Sequence, residues 1–318
     1  MKGTTLNYLS KNYKSFEVHY IEDNYSFFHI EINNESSFFK GLCEFVLNED
    51  YLLRYARNKS GITFQPNKSN YISLFRELYN FIDDENQDLI EIDDLDLDDI
   101  LVDEYDKIEI KNGKKFIRLS KIGRIGEYIF HIFLSDYFNF NCIIPKVKLT
   151  TDRNMSVYGI DALFLDRENK MILFGESKVS NRIDNGISLV NRSLKDYERE
   201  IREEYTLVLS NNHLKLNGLD DLFPGQTEVC MTFDDFLSET NTTNIGVPIF
   251  IAHGEEVDYK VILNRLQRKI KRYKFFGLNT IYYVISLPII DKKKFFSYLT
   301  KTISEKLEDY NAVANNKR

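Results

Sequence analysis

The residues best suited to chemistry in this sequence are two carboxylates and an amine spread over a short stretch, Asp161, Glu176 and Lys178. Asp161 opens the run Asp161-Ala162-Leu163-Phe164-Leu165. Glu176 and Lys178 close the run Met171-Ile172-Leu173-Phe174-Gly175-Glu176-Ser177-Lys178-Val179. Everything between the runs is polar, which predicts an antiparallel hairpin. If the loop closes Leu165 against Ile172, counting back sets Leu163 against Phe174 and Asp161 against Glu176, so that both carboxylates share a sheet face. Lys178, two residues on, joins them by strand periodicity. Charges beside Leu163 and Phe174 are costly unless they are paired or bind a metal. Magnesium, with manganese as its substitute, suits such oxygen donors and completes its octahedron with water and substrate phosphate oxygens. Phosphodiester hydrolysis is the chemistry that such a centre performs, with the ammonium group orienting water or neutralising transition-state charge. The bland alternative is that Asp161 ends a turn while Glu176 and Lys178 form an ordinary ion pair on a solvated face.

A fourth carboxylate, Glu127, lies within Ser120–Phe138, a stretch apolar around most of a helical circumference and therefore expected to be a buried helix. A lone carboxylate on such a face needs a partner. Gly123 and Gly126 would let the helix approach the sheet and bring Glu127 toward the metal as a ligand or supporting base. A salt bridge to Arg124 or to a lysine on a neighbouring strand is the competing reading.

The surrounding elements follow from periodicity. Strands are expected at Phe16–Ile21, Ser26–Ile32, Asn141–Thr150, Asp161–Leu165, Met171–Val179, Val247–Ala252 and Thr280–Leu287. Helices are expected near Phe38–Asn48, Tyr71–Ile82, Ile187–Tyr205, Tyr259–Phe275 and Lys293–Leu307. The fold class is α/β, a mixed central sheet flanked by helices, with a smaller α+β domain over residues 1–110 and the main domain over 111–318. The boundary is suggested by the acidic segment Asp83–Asp106, which carries roughly a dozen carboxylates and no lysine or arginine. That segment accounts for the net charge of −7, so the remainder is near neutral and a polyanionic partner stays open. It reads either as an exposed linker or as a nucleic-acid mimic that docks on a basic groove.

Basic residues that could meet a nucleic-acid backbone are Lys146, Lys148 and Arg153, just before Asp161, and Arg192 and Lys195 on the helix after Lys178. Arg268, Lys269 and Arg272 lie on an amphipathic helix that could equally be a solvated outer face. None of His19, His29, His131, His213 and His253 has metal-ligand spacing, and the three cysteines form no C-x-x-C pair. No segment reaches the roughly 20 apolar residues of a membrane span, and Met1–Tyr8 lacks a secretory apolar run, so a cytoplasmic location is expected.

Taken together, Asp161, Glu176 and Lys178 resemble the PD-(D/E)xK nuclease superfamily, matching its first acid, second acid and lysine, although Gly159-Ile160-Asp161 lacks the proline. More narrowly, the continuous run Lys148–Asp161 (KLTTDRNMSVYGID), then Phe174–Lys178 (FGESK), the Gly126-Glu127 helix and the late strand ending Ser286-Leu287-Pro288 resemble the HamA family of the Hachiman anti-phage defence system. The resemblance spans roughly residues 115–290. It implies a DNA-degrading effector held in check by a partner helicase, HamB, and released when phage or damaged DNA engages that partner. A catalytically silent DNA-binding or scaffold subunit and an RNase of the same fold are the rival readings.

Overall fold

A computed structural model of the chain describes residues 7–12, 16–21, 24–50, 52–53, 56, 64–82, 89–92, 108–118, 126–127, 129–131, 133–134, 140–145, 162–166, 169, 171–204, 232–239, 241–289 and 292–315. Its centre is an eight-stranded mixed sheet in the order β1-β2-β3-β11-β10-β9-β8-β7. The inner strands β3 (Asn24–Ile32), β11 (Asn279–Pro288), β10 (Asn244–His253) and β9 (Met171–Val179) run parallel. Antiparallel strands extend both sides: β2 (Phe16–Ile21) and β1 (Tyr8–Asn12) beyond β3, and β8 (Ala162–Asp166) and β7 (Asn141–Pro145) beyond β9.

β9, β10 and β11 are near-continuous apolar runs because helices cover both faces, the rule for parallel strands. On one face lie α3 (Ile183–Glu204), α4 (Phe233–Glu239) and α5 (Tyr259–Lys269), sharing a core with Ile172, Phe174, Ile249 and Val284. The other face is covered by α1 (Glu35–Val46), α2 (Lys68–Ile82), α6 (Lys292–Asn315) and the helical residues 126–127 and 129–131. Their core includes Leu173, Phe250, Ile285, Phe130 and Leu299. Successive residues of β9 therefore alternate between two separate apolar layers.

The α/β class, the mixed sheet and the flanking helices agree with the sequence reading, and several details differ. β1–β3 join the central sheet through β3 and β11, where a parallel edge on β11 would otherwise expose unpaired backbone groups. Within the acidic segment, Leu89–Ile92 forms β4 and pairs with β6 (Lys114–Arg118), which pairs in turn with β5 (Ile108–Lys111). The other positions of that segment lie outside the described residues. The helix expected to reach Phe275 stops at Lys269, since the Asn191 side chain accepts from Lys271 N–H and donates to the Lys269 carbonyl. Beyond it, the Tyr282 hydroxyl accepts from Tyr273 N–H and donates to the Tyr273 carbonyl. These contacts satisfy backbone groups that a continuing helix would have used.

Pro248 sits in the middle of β10, where it has no N–H to give the ladder. Paired positions between β9 and β10 are accordingly interrupted between Leu173–Gly246 and Glu176–Ile249. Across that gap the buried Tyr197 hydroxyl of α3 donates to the Phe174 carbonyl at 2.7 Å, replacing the missing donor. Gly186, further up the same helix, permits the approach, since a Cβ there would stand 2.5 Å from Ile251 Cγ2. We expect Tyr197→Phe to destabilise the chain by about 1–3 kcal/mol, the cost of orphaning a buried carbonyl. Urea denaturation of both proteins measures this, and an unchanged midpoint would show that the carbonyl finds another donor.

Candidate metal centre

The hairpin β8–β9 has the register that the spacing demands: Leu165 faces Ile172, Leu163 faces Phe174 and Ala162 faces Gly175. Glu176 is the next position on β9. Its side chain is buried, with the residue 2 % exposed, and its Oε1 forms a tight ion pair with Lys178 Nζ. Lys178 retains 27 % exposure, so its ammonium group sits at the border between core and solvent. Asp161, one position before β8, lies outside the described residues, as do Lys146, Lys148 and Arg153.

Glu176 and Lys178 share the parity of Ile172 and Phe174, which pack under α3. The helix facing them contributes a group that the strand pattern did not single out. The Glu200 carboxyl is raised above its usual value, first by burial and then by the negative charge of Glu176, while Arg199 and, less, Lys178 partly offset both. Glu200 lies three residues after the inward-facing Tyr197, so helical spacing from the buried stripe was the signal that could have found it.

Glu127 is half-buried, as expected of a carboxylate on this helix. The predicted close approach of the helix also occurs: a Cβ on Gly126 would stand 2.5 Å from Val179 Cγ2 and 3.6 Å from Ser177 Oγ. The contact, however, is with Ser177 and Val179, which point to the face opposite Glu176 and Lys178. The structure thus brings Glu176 and Lys178 together and sets the backbone of Glu127 across the sheet from them. Strand parity alone could not reveal this, because it does not say which face a preceding helix covers.

Arg192 and Lys195 are exposed on α3, and Arg268, Lys269 and Arg272 are exposed at and just past the end of α5. The Asn191 contacts hold the two groups side by side. Lys269 pairs with Asp184 at 2.8 Å, and the Arg272 guanidinium lies 5.8 Å from the Phe27 ring centroid. A groove of about 340 Å³ continues this border, lined by Lys195, Arg199, Arg202, Tyr273 and Lys274 among others. It does not include Glu176 or Lys178. Cys43 is buried and its thiol is pushed up to about 12, which makes it a core residue rather than a nucleophile. No helix among the described residues is long and apolar enough to cross a membrane.

A buried carboxylate beside an ammonium group offers the hard oxygen donor that a cation site needs. A family model described as HamA matches residues 8–303, nearly the whole chain. No curated protein and no solved structure matches it.

The ion pair can be tested apart from any activity. Lys178→Met, which strands the Glu176 charge, should cost about 2 kcal/mol. Adding Glu176→Gln should recover most of that loss. A double-mutant cycle by chemical denaturation reads both terms, and additive effects would mean that the two side chains do not stabilise each other.

Proposed function

The chain belongs to the HamA family and is thereby a component of the Hachiman anti-phage defence system; we propose that its part there is magnesium-dependent cleavage of DNA at Asp161, Glu176 and Lys178. The observation carrying this reading is the buried Glu176 carboxylate, ion-paired to Lys178 on β9 one position past the described end of the β8–β9 ladder. A structural pair alone gains little from being buried, since desolvation offsets most of the attraction. A centre that must exclude water and concentrate charge gains much more.

In this reading Asp161 and Glu176 hold the ion, magnesium or manganese, with the remaining positions left to water and phosphate oxygens. When bound, the ion polarises the phosphodiester and lowers the pKa of attacking water. Lys178 orients that water and neutralises charge accumulating on the phosphoryl oxygens. The oxygen of water bonds to phosphorus as the P–O bond to one sugar oxygen breaks, leaving a phosphate monoester and a hydroxyl group. Glu127, on the helix that packs against Val179, would act as a further ligand or as a supporting base.

Arg192, Lys195, Arg268, Lys269 and Arg272 would carry the DNA backbone by counterion release, with Lys146, Lys148 and Arg153 nearer the scissile phosphate. The proposed partner is a HamB-like helicase that restrains cleavage until it engages DNA.

Supercoiled plasmid incubated with the chain, its activated partner helicase and Mg2+ tests the assignment. Glu176→Ala and Lys178→Ala should each lower cleavage by roughly three orders of magnitude, the scale of several kcal/mol of lost transition-state stabilisation. Glu127→Gln should retain more activity than either. Full cutting by the Glu176→Ala protein would overturn the site. Duplex binding in Ca2+ with no cutting in Mg2+ would make the chain a scaffold, and cleavage of RNA alone would make it an RNase.

A further inference from the structure

The sequence offered no histidine with metal-ligand spacing, yet the pairing of β2 with β3 assembles a set of donors well away from the centre described above. We propose that Glu17, His19 and Glu31 bind a divalent transition-metal ion of the zinc class. Glu17 and His19 are two residues apart on β2 and so share a face, and the antiparallel register sets Glu31 directly opposite Glu17 and His29 opposite His19. One donor atom from each of Glu17, His19 and Glu31 lies within 4.8 Å of the others.

Three features separate this group from an ordinary surface cluster. Two carboxylates directly opposite each other across a ladder repel, and among the described residues the partner that stands between them is the His19 ring, with no lysine or arginine paired to either. His19 supplies the middle position with its ring fixed in advance: the residue is 3 % exposed and stacks on Tyr259 at 3.8 Å with an interplanar angle of 7°. Its Nδ1 is held at 2.7 Å by the Ser10 hydroxyl of β1, which is the kind of outer contact that orients a metal-ligating imidazole.

The geometry also suits the ion. His19 Nε2 lies 2.6 Å from Glu31 Oε2 and 4.0 Å from Glu17 Oε2. Tetrahedral zinc with its usual bond lengths wants neighbouring donors about 3.4 Å apart, between those two values. Glu31 is half exposed, which leaves room for entry and for water as a fourth ligand. An imidazole with two carboxylates suits zinc and its neighbours, whereas magnesium prefers oxygen alone, so the two centres would select different cations.

Position adds a role. Strand registers run in one line from Lys178 through Ile251, Ser286 and His29 to His19 and Ser10. The proposed ion therefore sits about four strand spacings, roughly 19 Å, from Lys178 on the same face of the sheet. It would bind the outer hairpin together beneath the first residue of α5, the helix that carries Arg268 and Lys269.

Isothermal titration of the whole chain with Zn2+, in wild type and in the Glu176→Gln variant that weakens the other centre, tests the proposal. One zinc per chain should persist in Glu176→Gln and resist millimolar Mg2+. Glu31→Gln, at an exposed position that should not disturb folding, should weaken that binding by more than about tenfold, and Ser10→Ala by about tenfold. Co2+ should give visible absorption that His19→Gln abolishes. Unchanged zinc affinity in Glu31→Gln, or no zinc bound by the wild-type chain, would overturn the site. Neither readout depends on cleavage, so the nuclease reading can fail while this one stands, and the reverse.

Discussion

A carboxylate cannot be held inside an apolar sheet unless a positive charge comes with it, and the architecture around β9 is organised by that requirement. Glu176 lies between two hydrophobic layers, with Lys178 reaching it from the solvent border. The same strand supplies Phe174 to the core beneath α3 and Leu173 to the opposite core, so the charged pair sits where the strand leaves the packed interior. Moving it one position in either direction would reverse its face and place the charges against Gly126 and Phe130.

Keeping such a strand central requires its neighbours to fit closely. β10 carries a proline where a ladder donor belongs, and α3 compensates with Tyr197. That helix begins where the Ile183 N–H donates to the Glu255 carboxylate, supplied by the loop after β10, and Glu255 also meets Arg182 and Arg265. A carboxylate at a helix amino terminus is favoured by the dipole as well as by the hydrogen bond. One side chain thus ties α3 to the end of β10 and to α5, so the elements that flank Lys178 are fixed relative to one another.

Polar residues collect on this face toward the carboxyl ends of the parallel strands, where open α/β sheets bind their ligands. His29 hydrogen-bonds Ser286 at 2.6 Å, and burial together with the neighbouring His253 and His19 pulls its imidazole down to about 3, so it is neutral. The basic border formed by α3 and the end of α5 lies on the same side of the molecule. Family membership gives this arrangement its setting in phage defence.

The local part of this organisation was legible in the residues. The polar loop determined the β8–β9 register, because closing Leu165 against Ile172 fixes every further pair by counting. The apolar runs of β10 and β11 announced strands buried on both faces, and the glycine at 126 announced a close helix contact. What the residues could not determine is which surfaces meet. That Gly126 packs against Val179 rather than beside Glu176, that the Tyr197 hydroxyl reaches the Phe174 carbonyl, that Asn191 ends α5, and that β1–β3 continue the main sheet all depend on groups far apart in the chain. The same holds for Glu17, His19 and Glu31, which have no ligand spacing until a hairpin register sets them together. Periodicity is a property of neighbours within about one turn or one strand, whereas those contacts are chosen by the packing of whole layers, where many short-range patterns are equally satisfied and only the assembled core decides among them.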